Sequence, residues 1–266
     1  MTGWEMVAVA AAGLAAGSIN AVVGSGTLVT FPVLLAVGLP PVTATISNSL
    51  GLVPGNLTGA IGYRRELRGQ RGLLLRLFPA SVLGALTGAF LLLHLPASAF
   101  EAIVPGLVAL AVVLVAVQPL LQRRLAARRA RAGTEDDLVD GAVRLGRGRV
   151  AALFAGAYVT GTYGGYFAAS QGVLQIGIFG LLLREPLQRL NAIKNVLTLG
   201  VNAVAALAYV IVATDRVDWR AAGLVAAGSL VGGYVGSTFG RRLPATVLRA
   251  AIVVLGLVAI TVLLRR

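Results

Sequence analysis

The sequence predicts an all-α polytopic membrane protein made of two inverted-topology repeats. Each repeat is a broken-helix hairpin plus three transmembrane helices. Three observations predict this. Hydrophobic residues make up 57% of the chain and charged residues 12%, against about 25% charged in soluble domains, and mean hydropathy is +0.86. Long apolar runs recur over the whole length, without the alternation of membrane β-strands. Two of these runs are too short to cross a bilayer, and they fall at matching places in the two halves.

The apolar stretches are 6–23, 27–38, 42–63, 73–93 and 102–121, then 150–168, 172–183, 190–213, 221–240 and 245–264. Met1-Thr2-Gly3-Trp4-Glu5 has no basic character, so the first stretch is expected to be retained rather than cleaved as a signal peptide. Stretches 27–38 and 172–183 have 12 residues each, about 18 Å of helix against a core of about 30 Å. One follows Gly24-Ser25-Gly26-Thr27 and the other Ser170-Gln171-Gly172. Each reads as a half-helix completing a bent hairpin.

The halves correspond in sequence. Ile46, Asn48, Leu50 and Leu52 align at one offset with Ile193, Asn195, Leu197 and Leu199. Gly84-Ala85-Leu86-Thr87-Gly88 matches Gly228-Ser229-Leu230-Val231-Gly232, and Leu95-Pro96-Ala97 matches Leu243-Pro244-Ala245. Three correspondences in one order indicate a repeat. The expected organisation is an N-terminal membrane repeat (1–121), an arginine-rich cytoplasmic linker (122–149) and a C-terminal membrane repeat (150–266). The glycine ladders Gly84/Gly88 and Gly228/Gly232/Gly236/Gly240 read as close-packing seams.

Arginine sets the orientation. Loop 64–71 holds Arg64, Arg65, Arg68 and Arg71, and both this loop and the linker are expected on the cytoplasmic side. The hairpin at 6–38 then opens outward and the one at 150–183 inward. Arg265-Arg266 falls outside, against the rule. The chain is expected in the cell inner (plasma) membrane as a multi-pass protein, with the lipid bilayer as surroundings and room for a homodimer.

The formal charge of +13 reads as loop arginine beside membrane spans and not as a nucleic-acid surface. No cysteine is present, and no metal constellation, phosphate-binding loop or catalytic triad is found. No Asp or Glu lies deep in a span, and His94 is at a loop edge. ATP-driven pumping by this chain alone is excluded; neither enzymatic activity nor a cofactor is expected.

Polar residues inside apolar segments remain. Lys194 is the only lysine, and a lone ammonium at membrane depth costs about 2.5–3.5 kcal/mol. It either holds a small anion or snorkels to the interface. Asn20, Gly24, Ser25, Gly26 and Thr27 surround the first break, where the start of a half-helix favours negative charge. Tyr163, Ser170, Gln171 and Gly172 mark the second. Ser47-Asn48 and Lys194-Asn195 are repeat-related and either line a cavity or pair between helices. Asn56 and Asn202, two turns further on, read as packing groups.

The chain resembles the TauE/SafE family of sulfite and organosulfonate exporters. The resemblance is carried by Asn20-Ala21-Val22-Val23-Gly24-Ser25-Gly26-Thr27-Leu28, Phe31-Pro32, Ser47-Asn48, Gly51-Leu52-Val53-Pro54-Gly55 and Gly62-Tyr63-Arg64-Arg65-Glu66-Leu67. Asn191-Ala192-Ile193-Lys194-Asn195-Val196, Val217-Asp218-Trp219 and Gly240-Arg241-Arg242-Leu243-Pro244 extend it through the second half. The resemblance implies two related halves and export of small sulfur-containing anions such as sulfite or sulfoacetate. The expected function is therefore alternating-access transport of such an anion at a midplane site between the hairpins. Another small organic acid anion, or a channel or scaffold role, is the alternative.

Overall fold

The structure, a computed structural model, describes residues 1–131, 146–183 and 185–239, together with positions 253, 254 and 257. The described elements are helical. They are α1 (Gly3–Val22), α2 (Thr27–Ala36), α3 (Pro41–Gly62), α4 (Arg71–His94), α5 (Ala97–Arg131), α6 (Arg147–Tyr166), α7 (Gln171–Leu182), α8 (Leu187–Val212) and α9 (Trp219–Phe239). A single 3-10 turn, Thr214–Arg216, joins α8 to α9. Gly240, Arg241-Arg242, Leu243-Pro244-Ala245, most of the 245–264 stretch, Arg265-Arg266 and linker residues 132–145 lie outside the described residues.

Local chemistry accounts for the helix ends. Thr2 and Glu5 form a capping box at α1. Pro41 opens α3 with its fixed φ. Asp218 Oδ1 accepts the Ala221 amide at 2.9 Å and starts α9. The Asp218 amide donates to Ser47 Oγ at 2.9 Å, tying that start to α3. The first ten residues of the expected linker continue α5 as helix.

Five described helices are long and apolar enough to span a bilayer: α1, α4, α5 through Arg124, α8 and α9. Helices α2 and α7 are the two short apolar helices, as their lengths predict. Helix α3 is 22 residues long but carries Asn48 and Asn56, and it is shielded by α8, α9 and α1. Outward-facing positions such as Ile211, Leu83 and Phe90 are apolar and exposed, as a lipid-facing surface requires.

Packing follows the glycines. Helix α1 lies along α9, and α6 lies along α4. A Cβ on Gly232 would stand 2.0 Å from the Leu14 carbonyl oxygen, and one on Gly88 would stand 2.1 Å from that of Thr162. Gly13 and Gly17 face α9, while Gly161 and Gly165 face α4, with the same backbone closeness. Each hairpin's first arm is thus clamped by a helix from the other half. Small residues let these backbones approach and gain dispersion contact, the main attraction left between helices in lipid. Helices α3 and α8 pack against each other between the clamps.

Gly232→Ala and Gly88→Ala set a methyl group against backbone that cannot move aside. Each is expected to destabilise the protein by about 1–3 kcal/mol, read as a lower melting temperature in detergent. Gly223→Ala, whose Cβ would meet nothing within 4 Å, is expected to leave the melting temperature level or raise it.

Candidate functional site

The first break is held open by asparagines. Helix α1 ends at Val22, and Gly24 takes φ +89°, a left-handed conformation that glycine adopts freely. Asn20 Oδ1 accepts the Gly26 amide at 3.2 Å, and Asn20 Nδ2 donates to Asn56 Oδ1 at 2.7 Å. Asn48 reaches from α3 to the start of α2. Its Nδ2 donates to Thr27 Oγ1 at 3.1 Å, and its Oδ1 accepts from Thr30 Oγ1. The second break turns through Ala168 and Ser170, both left-handed. Ser170 Oγ donates to the Ala111 carbonyl of α5 at 3.3 Å.

The two tips touch. The Gly172 amide donates to the Gly24 carbonyl at 3.1 Å. A Cβ on either glycine would lie 2.6 Å from the other's Cα. The stem of Lys194 passes beside this contact, with Cδ 3.2 Å from the Gly24 Cβ position and 2.7 Å from that of Gly172.

Lys194 is 1% exposed, so it does not snorkel. Its Nζ donates to the carbonyls of Asn20 at 2.7 Å and Ala21 at 3.2 Å, in the last turn of α1. Asn195 Nδ2 joins it on Ala21 at 3.2 Å. These carbonyls are the negative end of the α1 dipole, which favours an ammonium there. Neither of the ion pairs found among the described residues involves Lys194. An ammonium has three N–H donors, and two meet an acceptor among the described residues.

The sequence-predicted residues therefore mostly converge. Asn20, Gly24, Gly26, Gly172, Lys194 and Asn195 are linked around the tips, and Thr27 and Asn48 brace α2 beside them. Ser25 and Gln171 are buried, and Ser25 Oγ and both ends of the Gln171 amide meet no hydrogen-bond partner among the described residues. Two tip amides expected to face a ligand, those of Gly26 and Gly172, are instead taken by protein oxygens. Tyr163 differs. Its carbonyl terminates α6, while its side chain lines an apolar groove of about 430 Å³ with Leu91, Ile103, Tyr158 and Tyr166.

Sequence reasoning missed Gln175 and Thr198. Thr198 Oγ1 donates to Gln175 Oε1 at 3.0 Å across the α7–α8 hairpin. The available signal was spacing, since Gln175 is one turn from Gln171 and Thr198 one turn from Lys194.

Residues 9–263 match the family model described as "Sulfite exporter TauE/SafE". The chain is 29% identical over 229 residues to "Probable membrane transporter protein YfcA" of Escherichia coli K12, covering 86% of this chain and 76% of that protein. It is 24% identical over 250 residues to "Probable membrane transporter protein" of Haemophilus influenzae, covering 91% and 88%. No solved structure matches the chain.

Two alanine substitutions separate tip contact from backbone strain. Gly24→Ala forces both a left-handed alanine, at about 1–2 kcal/mol, and a clash with Gly172. Gly69→Ala has the strain alone, because φ is +82° and nothing lies within 4 Å. Gly24→Ala is expected to lower the melting temperature distinctly more; equal losses would mean that the tips do not meet.

Proposed function

This chain belongs to the TauE/SafE sulfite exporter family, and we propose that it exports a small sulfur-containing anion such as sulfite or sulfoacetate as a secondary transporter or facilitator. The observation that carries this reading is Lys194, a fully buried ammonium held at the meeting point of two broken helices. A buried cation in a membrane protein is costly. A scaffold has no need of one, and a cation carrier would be hindered by it.

In this mechanism the closed arrangement holds the ammonium on the Asn20 and Ala21 carbonyls. An arriving anion takes the free donors first, Ser25 Oγ, the Gln171 amide and the third N–H of Lys194. The anion's charge then replaces the carbonyl partners, which are only partial charges. Release of the Gly172–Gly24 bond frees the Gly172 amide at the start of α7 and lets the hairpins part. Asn48 and Asn195 keep the half-helices in register with α3 and α8 throughout.

The two halves, 1–121 and 150–266, act as inverted repeats joined by the 122–149 linker in this account. Rocking of the hairpins against the α3–α8 pair opens the site to one side and then the other. Transport runs down the anion's gradient or couples through protonation of the anion or of Lys194. The exchange of clamps, α1 on α9 and α6 on α4, supports a motion shared by both hairpins. The reading places the protein in the plasma membrane and gives it no catalytic step.

Purified protein in liposomes is expected to carry sulfite and sulfoacetate. Lys194→Ala is expected to lower that flux by at least about tenfold, the loss of one charge-assisted hydrogen bond. Acetate carried as well as sulfite would make the cargo an organic acid anion. Absence of anion-dependent flux, or full flux in Lys194→Ala, would remove the proposal.

A further inference from the structure

A polar cavity at the carboxyl ends of α3 and α9 shares no residue with the anion site proposed at Lys194. Helices α3 and α9 run side by side in one direction. A Cβ on Gly51 would meet Val225, one on Gly55 would meet Ser229, and one on Gly62 would meet Ser237. The two helices end together, α3 at Gly62 and α9 at Phe239. Helix α9 is long and apolar enough to cross a bilayer, and the arginine-rich loop 64–71 follows α3. Their shared end therefore lies at a membrane–water boundary. The cavity there measures about 480 Å³, and Ile61, Arg64, Arg65, Glu66, Tyr234 and Thr238 are among the residues that line it.

Charge in the cavity favours an anion. The carboxyl ends of helices are negative poles, and Glu66 adds a carboxylate. Two guanidinium groups outweigh them, and most of their donors are unspent. Arg64 Nη1 donates to the Ile61 carbonyl at 3.3 Å, in the last turn of α3. Arg65 meets no acceptor among the described residues. Each guanidinium has five N–H donors in a planar fork that matches the oxygens of a phosphate.

The other part of the lining is apolar and continues onto the outer surface. Ile61 and Tyr234 are 51% and 61% exposed, and Leu57 and Leu230, one turn before each, are 46% and 45% exposed. Each pair is spaced four residues apart, so each helix shows an apolar column on its outer side. Because α3 and α9 run in step, the two columns lie at matching depths. A ligand in the cavity thus meets cationic donors at one end and an apolar track at the other. A free inorganic anion uses only the donors. An amphiphile with a phosphate head uses both, and a net positive cavity prefers a head with net negative charge to a zwitterion.

We infer that this cavity binds the phosphate of an anionic phospholipid, with an acyl chain lying over Ile61 and Tyr234. The lipid bridges the loop after α3 to the end of α9 and does not depend on the cargo or on Lys194.

The test is lipid retention by the full chain in detergent, read by native mass spectrometry. Phosphatidylglycerol and phosphatidylcholine with identical acyl chains are titrated in turn. The wild type is expected to bind the first at least about tenfold more tightly, from two arginines at a membrane surface. Arg64→Gln/Arg65→Gln is expected to bring that ratio close to one. Arg68→Gln/Arg71→Gln removes the same charge from the same loop outside the cavity lining, and it is expected to leave the ratio unchanged. Arg65→Gln gives up no bond within the described protein and is expected to lower the ratio by itself, should the double variant fail to fold. Equal losses in the two double variants, or no preference in the wild type, overturn the site. Displacement of phosphatidylglycerol by millimolar inorganic phosphate or sulfite also overturns it, because the cavity then serves a free anion.

Discussion

The structure depends on satisfying one buried ammonium. Among the described residues no carboxylate pairs with Lys194, and its charge is met by backbone carbonyls. Those carbonyls are free because α1 stops at Val22, and an uninterrupted helix would have used the Asn20 and Ala21 oxygens internally. The break in the helix and the buried lysine therefore need each other. Gly24 makes the break possible, and the absent side chains of Gly24 and Gly172 leave the gap through which the lysine stem passes. A larger residue at either glycine would exclude both the other tip and the lysine.

The surrounding helices hold that contact in place. The α1–α9 and α4–α6 seams are built the same way, with glycine of each helix set on backbone of the other. Such seams give little freedom for sliding. Hydrogen bonds at the breaks come from side chains in other helices, Asn56 and Asn48 of α3 among them.

Much of this was legible in the sequence, for stated reasons. The half-helices were legible because 12 apolar residues are too few to cross a bilayer and each follows a Gly/Ser break. The seams were legible because four-residue glycine spacing has one main use in lipid. Lys194 stood out because it is the single lysine and because it lies in an apolar run. Partner identity was not legible. Ser47 and Asn48 adjoin, yet Ser47 serves the Asp218 amide while Asn48 serves Thr27 and Thr30. Spacing fixes the face of a helix but not the atom across from it. The closed tips were hidden for the same reason, since half-helix amides read as open until the other tip is known to cover one. Tyr163 was placed by its nearness in sequence to the second break, whereas a helical side chain follows its face, here toward the apolar groove.

The account stands on the claim that Lys194 trades its carbonyl partners for an anion. Crystals of the protein grown with selenite, a heavier analogue of sulfite, test that claim directly through the anomalous signal of selenium. The account predicts a selenium peak within salt-bridge distance of Lys194 Nζ, between Ser25 and Gln171, with Gly24 and Gly172 drawn apart. A peak confined to the polar cavity at Arg64 and Arg65, with Lys194 still on Asn20 and Ala21, would contradict it.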